Sequence, residues 1–247
     1  MASPLINIRC ASSHNDFPFK KLLKHTPEDF GAIIFGTAGF LSPNLHKTAP
    51  DDSREWLEGL WTRWWKHRPN YEFSIARTPA LSTQAIRPGN HPQRRLAALA
   101  AAARRWPWLS KSARQTPTFK NFSKSLSALS EPFWDHHHTL LSVRTKKPIK
   151  LIGKSRLEEF LINTLYPLHP ENWAEFQKIP ASAPNQKVKR CCERLFGSLA
   201  NAKPYLKFAW QQQALLQVYQ DFCLEDLSDC IECSFPEQLA QWKSTDD

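Results

Sequence analysis

The chain is short of glycine and has no long apolar run, and both shortages exclude classes of protein. It has seven glycines but nineteen prolines among 247 residues, which favours helices joined by proline-containing loops over a sheet rich in tight turns. No run approaches the roughly 20 apolar residues that a membrane-spanning helix needs. No basic start followed by an apolar stretch indicates a signal peptide. We therefore expect no membrane partner and a cytoplasmic location.

The sequence also lacks the motifs of several enzyme classes. It has no phosphate-binding glycine loop, no dinucleotide fingerprint and no Gly-x-Ser-x-Gly motif. Its six cysteines, two of them adjacent at 191 and 192, are too few for the disulfide framework of a secreted protein. We expect a reduced intracellular protein that is not an enzyme acting alone.

What the chain does have is a large apolar and aromatic inventory with a basic charge. Hydrophobic residues make up 41% of it, and the formal net charge is +10. That composition excludes disorder of the whole chain, and the charge favours polyanions such as nucleic acid. The alternative is that many basic soluble proteins bind nothing specific.

Helix signals recur along the chain, and no alternating strand pattern does. Thr26, Pro27 and the acids that follow are typical of a helix start, and a capping box at Ser155 predicts another. Ser130 is expected to cap a further helix that carries the histidine run 136–138. The fold prediction is all-α: a single irregular multi-helix domain of about eight helices with Pro-rich loops. The predicted divisions are an irregular segment over 1–16, a helical domain over 17–236 and a tail over 237–247.

A tryptophan stripe marks the helix predicted after residue 52. Trp56, Trp61, Trp64 and Trp65 recur at helical spacing, interleaved with basic residues. Aromatic rings among cations could stack on nucleobases. An aromatic stripe at helical spacing is more typical of a core, and that is the interpretation we prefer.

Clusters of basic residues give the candidate nucleic-acid interface. They lie at the two ends of the alanine-rich helix predicted over 93–105 and in the loop 144–150. Such cations could hold phosphates, or they could form a solvated face. The candidate nucleic-acid-binding residues are Arg87, Arg94, Arg95, Arg104, Arg105, Lys146, Lys147 and Lys150.

Two groups of residues suggest metal ligands. Consecutive histidines at 136–138 would point about 100° apart on a helix, which argues against one shared ion. Cys223, Cys230 and Cys233 supply three of the four ligands that zinc or an iron–sulfur cluster needs, and Cys192 is a candidate fourth. Because Cys191 and Cys192 lie on an apolar stripe, buried reduced thiols and no cofactor are the alternative that we favour.

The ordered set of motifs resembles the bacterial domain of unknown function family 2851. The resemblance covers roughly residues 17–236. Its stretches are FGTAGFL at 35–41, RPGNHPQRRLAALA at 87–100, EPFWDHHH at 131–138, IGKSRLEEFLINTLYP at 152–167 and QQALLQVYQDFC at 212–223, followed by Cys230 and Cys233. In the tail the chain departs from the family, whose cysteines are more closely spaced.

The resemblance implies a missing partner for any chemistry. Full-length family members look longer, with an amino-terminal region similar to restriction-endonuclease-like nucleases, which need carboxylates around a divalent metal. Residues 1–16 contain one acid, Asp16. The resemblance therefore implies a helical accessory domain, catalytically inactive by itself, that supports nucleic-acid binding by a nuclease-like region encoded upstream. The alternatives are a protein-interaction scaffold, a remnant of a truncated gene, or a metal-binding module built on the carboxy-terminal cysteines.

Overall fold

Helices are the main secondary structure of the residues that the protein's computed structural model describes. These are residues 19–72, 88–115, 119–225 and 231–241. They contain no β-sheet, and one isolated antiparallel bridge joins Pro180 and Phe208. The all-α prediction is confirmed. No helix among them has the length and apolar character needed to cross a membrane.

The chain divides into two compact units, residues 1–165 and 166–247. The predicted division at 16 and 236 stays a prediction. Unit 1 contains eight α-helices among its described residues: α1 Phe19–Leu22, α2 Pro27–Thr37, α3 Leu45–Thr48, α4 Asp51–His67, α5 Pro92–Arg104, α6 Trp106–Arg114, α7 Phe119–Ser127 and α8 Lys154–Phe160. Short 3-10 helices lie at Arg68–Tyr71, directly after α4, and at Pro88–Asn90, shortly before α5.

Helix α2 begins where the sequence predicts. The Thr26 hydroxyl accepts the Asp29 N–H at 3.2 Å, and Pro27 is the first helical residue. The helix packs against α4 and α5. A Cβ built on Gly36 would lie 2.0 Å from the buried indole of Trp64, so only glycine allows this approach.

The tryptophan stripe of α4 belongs only in part to the core. Ser53, Leu57, Leu60 and Trp64 form the buried face. Trp65 is 53% exposed. The preferred core interpretation is therefore confirmed for Trp64 and wrong for Trp65, because consecutive positions on a helix point about 100° apart.

Residues 130–150 form turns and extended chain, so the helix predicted to start at Ser130 is wrong. A helix would need the carbonyl oxygens of Trp134 and His137 as acceptors for its own N–H groups. Both instead accept hydrogen bonds from the side chain of Arg94. A distant side chain thus overrides the local helix signal.

The helix predicted at 155–165 exists but begins differently. Helix α8 starts at Lys154 with Gly153 as its N-cap and no side-chain cap bond, so the capping box at Ser155 is wrong. The segment continues as a π-helix over Leu161–Leu165, with Leu157, Leu161 and Leu165 buried on one face.

Unit 2 has a small core of its own. Its described helices are α9 Trp173–Phe176, α10 Gln186–Phe196, α11 Ala209–Val218 and α12 Phe235–Gln241, with a π-helix over Tyr219–Glu225. Asn185 caps α10 by accepting the Val188 N–H at 3.0 Å. The core comprises Val188, Cys191, Cys192, Ala202, Leu215 and Tyr219, so the predicted stripe of α10 is confirmed.

Candidate nucleic-acid interface

A buried arginine at the start of α5 organises the surroundings of the basic loop. Arg94 is 3% exposed. Its Nη1 donates to the carbonyl oxygens of Trp134 at 3.0 Å and His137 at 2.6 Å. Its Nη2 donates to Lys150 at 2.8 Å and, more weakly, to Ile149 at 3.5 Å. The guanidinium of Arg94 therefore holds both ends of the segment 134–150, which contains the basic loop 144–150.

Burial lowers the pKa of Arg94, and the nearby Asp135 carboxylate opposes that shift. Arginine remains charged in proteins even so. The guanidinium carries several N–H donors in one rigid plane, so it can bond several carbonyl oxygens at once. The compact ammonium group of a lysine does not provide this geometry. Hydrogen bonds to a charged group contribute about 1.5–3 kcal/mol each, so Arg94 is a principal stabilising residue of this region.

The loop itself is tied down by backbone pairing. The Thr145 N–H donates to the His136 carbonyl at 2.7 Å, and the Nδ1–H of His136 donates back to the Thr145 carbonyl at 2.9 Å. The Ile149 N–H donates to the Asp135 carbonyl at 2.7 Å, and the Thr145 hydroxyl donates to the Lys147 carbonyl at 2.8 Å. The loop is thus ordered at both ends.

Five exposed cations lie on the loop 144–150 and at the start of α5, two segments that the bonds of Arg94 hold together. We call the set the basic surface, and it consists of Arg95, Arg144, Lys146, Lys147 and Lys150. The loop carries four of them and no acid between 144 and 150. Within the described part of the chain none of the five forms an ion pair. The arrangement leaves their charge available to an anion from outside.

The structure thus sorts the predicted residues. Arg95, Lys146, Lys147 and Lys150 are exposed on the two segments that Arg94 connects, and Arg144 is a further exposed cation that the sequence pattern did not single out. Arg104 and Arg105 lie at the far end of α5, about 14 Å away at 1.5 Å per residue. Arg104 contacts Glu28 at 3.5 Å. Arg87 lies outside the described residues.

Arg94 does not have the nucleic-acid-binding role that the sequence predicted. Neither the phosphate-binding nor the solvated interpretation holds for it, because the buried guanidinium donates its hydrogen bonds to carbonyl oxygens of the protein itself. It positions the basic surface and does not belong to it.

The model of one protein family matches residues 8–188, which is most of the chain and includes every residue of the basic surface. That family is described as proteins of unknown function, DUF2851. The chain belongs to the DUF2851 family. No curated protein and no solved structure matches it significantly. The match ends before Cys191, so the extension of the resemblance to residue 236 stays a prediction.

Two stretches that carry the resemblance of this DUF2851 protein contact each other. The stretch at 87–100 contains Arg94, and the stretch at 131–138 supplies two of its acceptors, Trp134 and His137. A third stretch, 35–41, contacts the second one. The ring of its Phe35 stacks on that of Trp134, with ring centroids 5.3 Å apart. The motifs therefore meet at the buried support of the basic surface.

A serine and a histidine also meet in the buried interior of unit 1. The Ser53 hydroxyl lies 3.2 Å from Nε2 of His137 and 3.0 Å from Oδ1 of Asp52. Nδ1 of His137 donates to the Phe133 carbonyl at 2.8 Å. Ser53 is 0% and His137 1% exposed, so both side chains are buried. These hydrogen bonds hold the buried side chains in place. The ring of His137 also stacks on that of Phe133, with ring centroids 4.1 Å apart.

A small cleft opens between α2, α4, α5 and the turn at 131–134. Its lining includes Glu28, Trp56, Arg104 and Glu131, and its volume is about 60 Å³. That volume holds about two water molecules and is far below the roughly 300–1,000 Å³ of typical ligand pockets. Burial raises the pKa of Glu131, although the Trp134 N–H bonded to its carboxylate lowers it. The Glu131 carboxylate therefore caps a turn.

The cysteines of the proposed metal site do not assemble among the described residues. Cys191 and Cys192 are fully buried in the core of unit 2, and Cys223 packs against it. The Cys191 thiol donates to the Leu215 carbonyl at 3.1 Å, and burial raises its pKa to about 11. Cys230 lies outside the described residues. Within the described ranges no three potential ligands converge.

Proposed function

We propose that this protein is a binding module that holds a nucleic-acid backbone on its basic surface. The observation that carries the proposal is the bond from Arg94, the neighbour of the exposed Arg95, to the carbonyl of Lys150 at 2.8 Å, which holds the loop 144–150 at the start of α5. All five cations are exposed. A net charge of +10 adds long-range attraction for a polyanion.

Binding to phosphates releases condensed counterions, which makes such an interface sensitive to salt. Lysines on a loop that is held at both ends lose less conformational freedom on binding than lysines on a mobile segment. The bonds of Arg94, His136 and Thr145 that order the loop therefore favour binding, and they do so without contacting the ligand.

The proposal assigns binding and no chemistry to this chain. The Ser53–His137 pair is buried and the cleft at Glu131 is small, so neither offers a reaction site. The family resemblance points to a nuclease-like partner that would act on the nucleic acid held here. Replacing the wild-type chain by a basic-surface variant should then slow cleavage by that partner. Unchanged cleavage would contradict this part of the proposal.

The decisive test measures affinity for a labelled DNA duplex by fluorescence anisotropy at about 50 mM salt. The variant Lys146→Gln, Lys147→Gln, Lys150→Gln removes three charges from the basic surface. A matched control removes three exposed lysines of unit 2: Lys178→Gln, Lys187→Gln, Lys203→Gln.

We expect the basic-surface variant to bind about tenfold more weakly or worse, and the control to bind nearly as the wild type does. Equal weakening by both variants would mean that net charge alone drives binding. Absence of wild-type binding at low salt would overturn the proposal.

A further inference from the structure

A second surface of unit 1 presents aromatic rings to solvent, at the carboxy-terminal end of α4. The indoles of Trp61 and Trp65 lie one turn apart on the same face, with ring centroids 5.4 Å apart and an interplanar angle of 31°. Trp65 is 53% exposed and Trp61 is partly exposed. Adjoining exposed rings, unlike a single exposed apolar side chain, form a contiguous patch of the kind that marks a contact site.

One cation lies directly against these rings. The guanidinium of Arg68 lies over the Trp65 ring at 4.9 Å, and Lys66 of the same helix is exposed. Cations at the end of a helix also offset its dipole. That role accounts for their charge but not for the two solvent-facing rings.

A second segment adds a cation near the same end of α4. The ring of His25, just after α1, meets that of His67 edge to face at 5.0 Å, and its Nε2 lies 2.8 Å from the hydroxyl of Tyr71. Nζ of Lys21 lies near this end, 5.7 Å from the centroid of the Tyr71 ring. The carboxylate of Asp29 lies 3.2 Å from Nε2 of His67.

We propose that Trp61 and Trp65, with Arg68, form a stacking platform for the unpaired bases of single-stranded nucleic acid. Paired bases in a duplex hide their faces, whereas unpaired bases expose a face that stacks on an indole or a guanidinium. The cations at this end of α4 complement the backbone phosphates of that strand. The platform and the basic surface are different places on unit 1, so this inference does not depend on the function proposed above.

The test compares Trp65→Leu with the matched control Trp173→Leu, a tryptophan of unit 2 that is 49% exposed. The probes are a labelled oligothymidylate of about 20 nucleotides, long enough for one binding site, and heparin, a polyanion without bases. Because Trp65 faces solvent, its substitution leaves the core of α4 intact.

Loss of one stacked base should weaken oligothymidylate binding of Trp65→Leu by about tenfold, with heparin binding unchanged. The control Trp173→Leu should bind both probes as the wild type does. Unchanged oligothymidylate binding by Trp65→Leu, or an equal loss for both probes, would overturn the inference. Failure of the stacking platform would leave the basic-surface proposal standing, because that proposal is tested separately by duplex binding of the lysine variant.

Discussion

Nη2 of Arg94 lies 2.8 Å from the carbonyl oxygen of Lys150, 56 residues further along the chain. This contact connects the start of helix α5 to the last residue of the basic loop. Because the donor is a buried charge and the acceptor is backbone, the lysine side chain stays exposed. The buried arginine thereby positions a surface residue that it does not contact through side chains.

Replacing Arg94 tests that support. Arg94→Met leaves the carbonyls of Trp134, His137 and Lys150 without their donor, and each unsatisfied buried group costs about 1–3 kcal/mol. We expect unit 1 to lose about 3 kcal/mol of unfolding free energy in urea. The exposed neighbour provides the control, and Arg95→Met should change stability by less than about 0.5 kcal/mol. Equal stabilities of the two variants would contradict the assigned role.

Two glycines give opposite predictions. Gly36→Ala places a methyl group against the buried ring of Trp64 and should destabilise unit 1 by about 1–3 kcal/mol. Gly59 lies within α4, and a Cβ there would have its nearest neighbour at 3.9 Å. Gly59→Ala should therefore stabilise the protein by about 0.5–1 kcal/mol. Thermal unfolding of both variants checks the pair, and a stabilising Gly36→Ala would show that the helices do not approach as described.

Acid should destabilise unit 1 through its histidines. Burial lowers the pKa of His25, His91 and His138 below the usual 6.5, and the charge of His67 lowers that of His25 further. The folded state then binds fewer protons than the unfolded state, so stability is complete above about pH 6.5 and falls as the pH drops below it. Urea unfolding from pH 8 to pH 5.5 measures the loss of unfolding free energy. The variant His25→Gln should lose less of it over this range than the wild type does. A pH-independent midpoint would contradict the prediction.

The buried thiols should resist modification. Cys191 is fully buried with its pKa raised to about 11, and burial also raises the pKa of Cys192. Only the thiolate reacts with alkylating agents. We expect iodoacetamide at pH 8 to leave both residues unmodified in the native protein and to label both after denaturation, as mapped by mass spectrometry. Rapid native labelling of Cys191 would place it outside a core.

Local signals predicted much of the fold but little of the site. Thr26 caps α2 through a bond within one turn, and the apolar spacing of α10 is likewise local, so both could be found in the sequence. The turns over 130–150 could not be, because Arg94 reaches them from 40 or more residues away. The burial of Arg94 itself contradicts the usual exposure of arginine. Which tryptophan of α4 faces solvent depends on where α2 packs, which no local pattern specifies.

The salt dependence of duplex binding reports how many phosphates the basic surface contacts. The slope of log affinity against log salt changes by about 0.9 for each phosphate contact. We expect the variant Lys146→Gln, Lys147→Gln, Lys150→Gln to flatten the slope by about 2–3 relative to the wild type. The unit 2 control, Lys178→Gln, Lys187→Gln, Lys203→Gln, should keep the wild-type slope. The same slope for the wild type and the basic-surface variant would contradict the account, because it would place the phosphate contacts elsewhere.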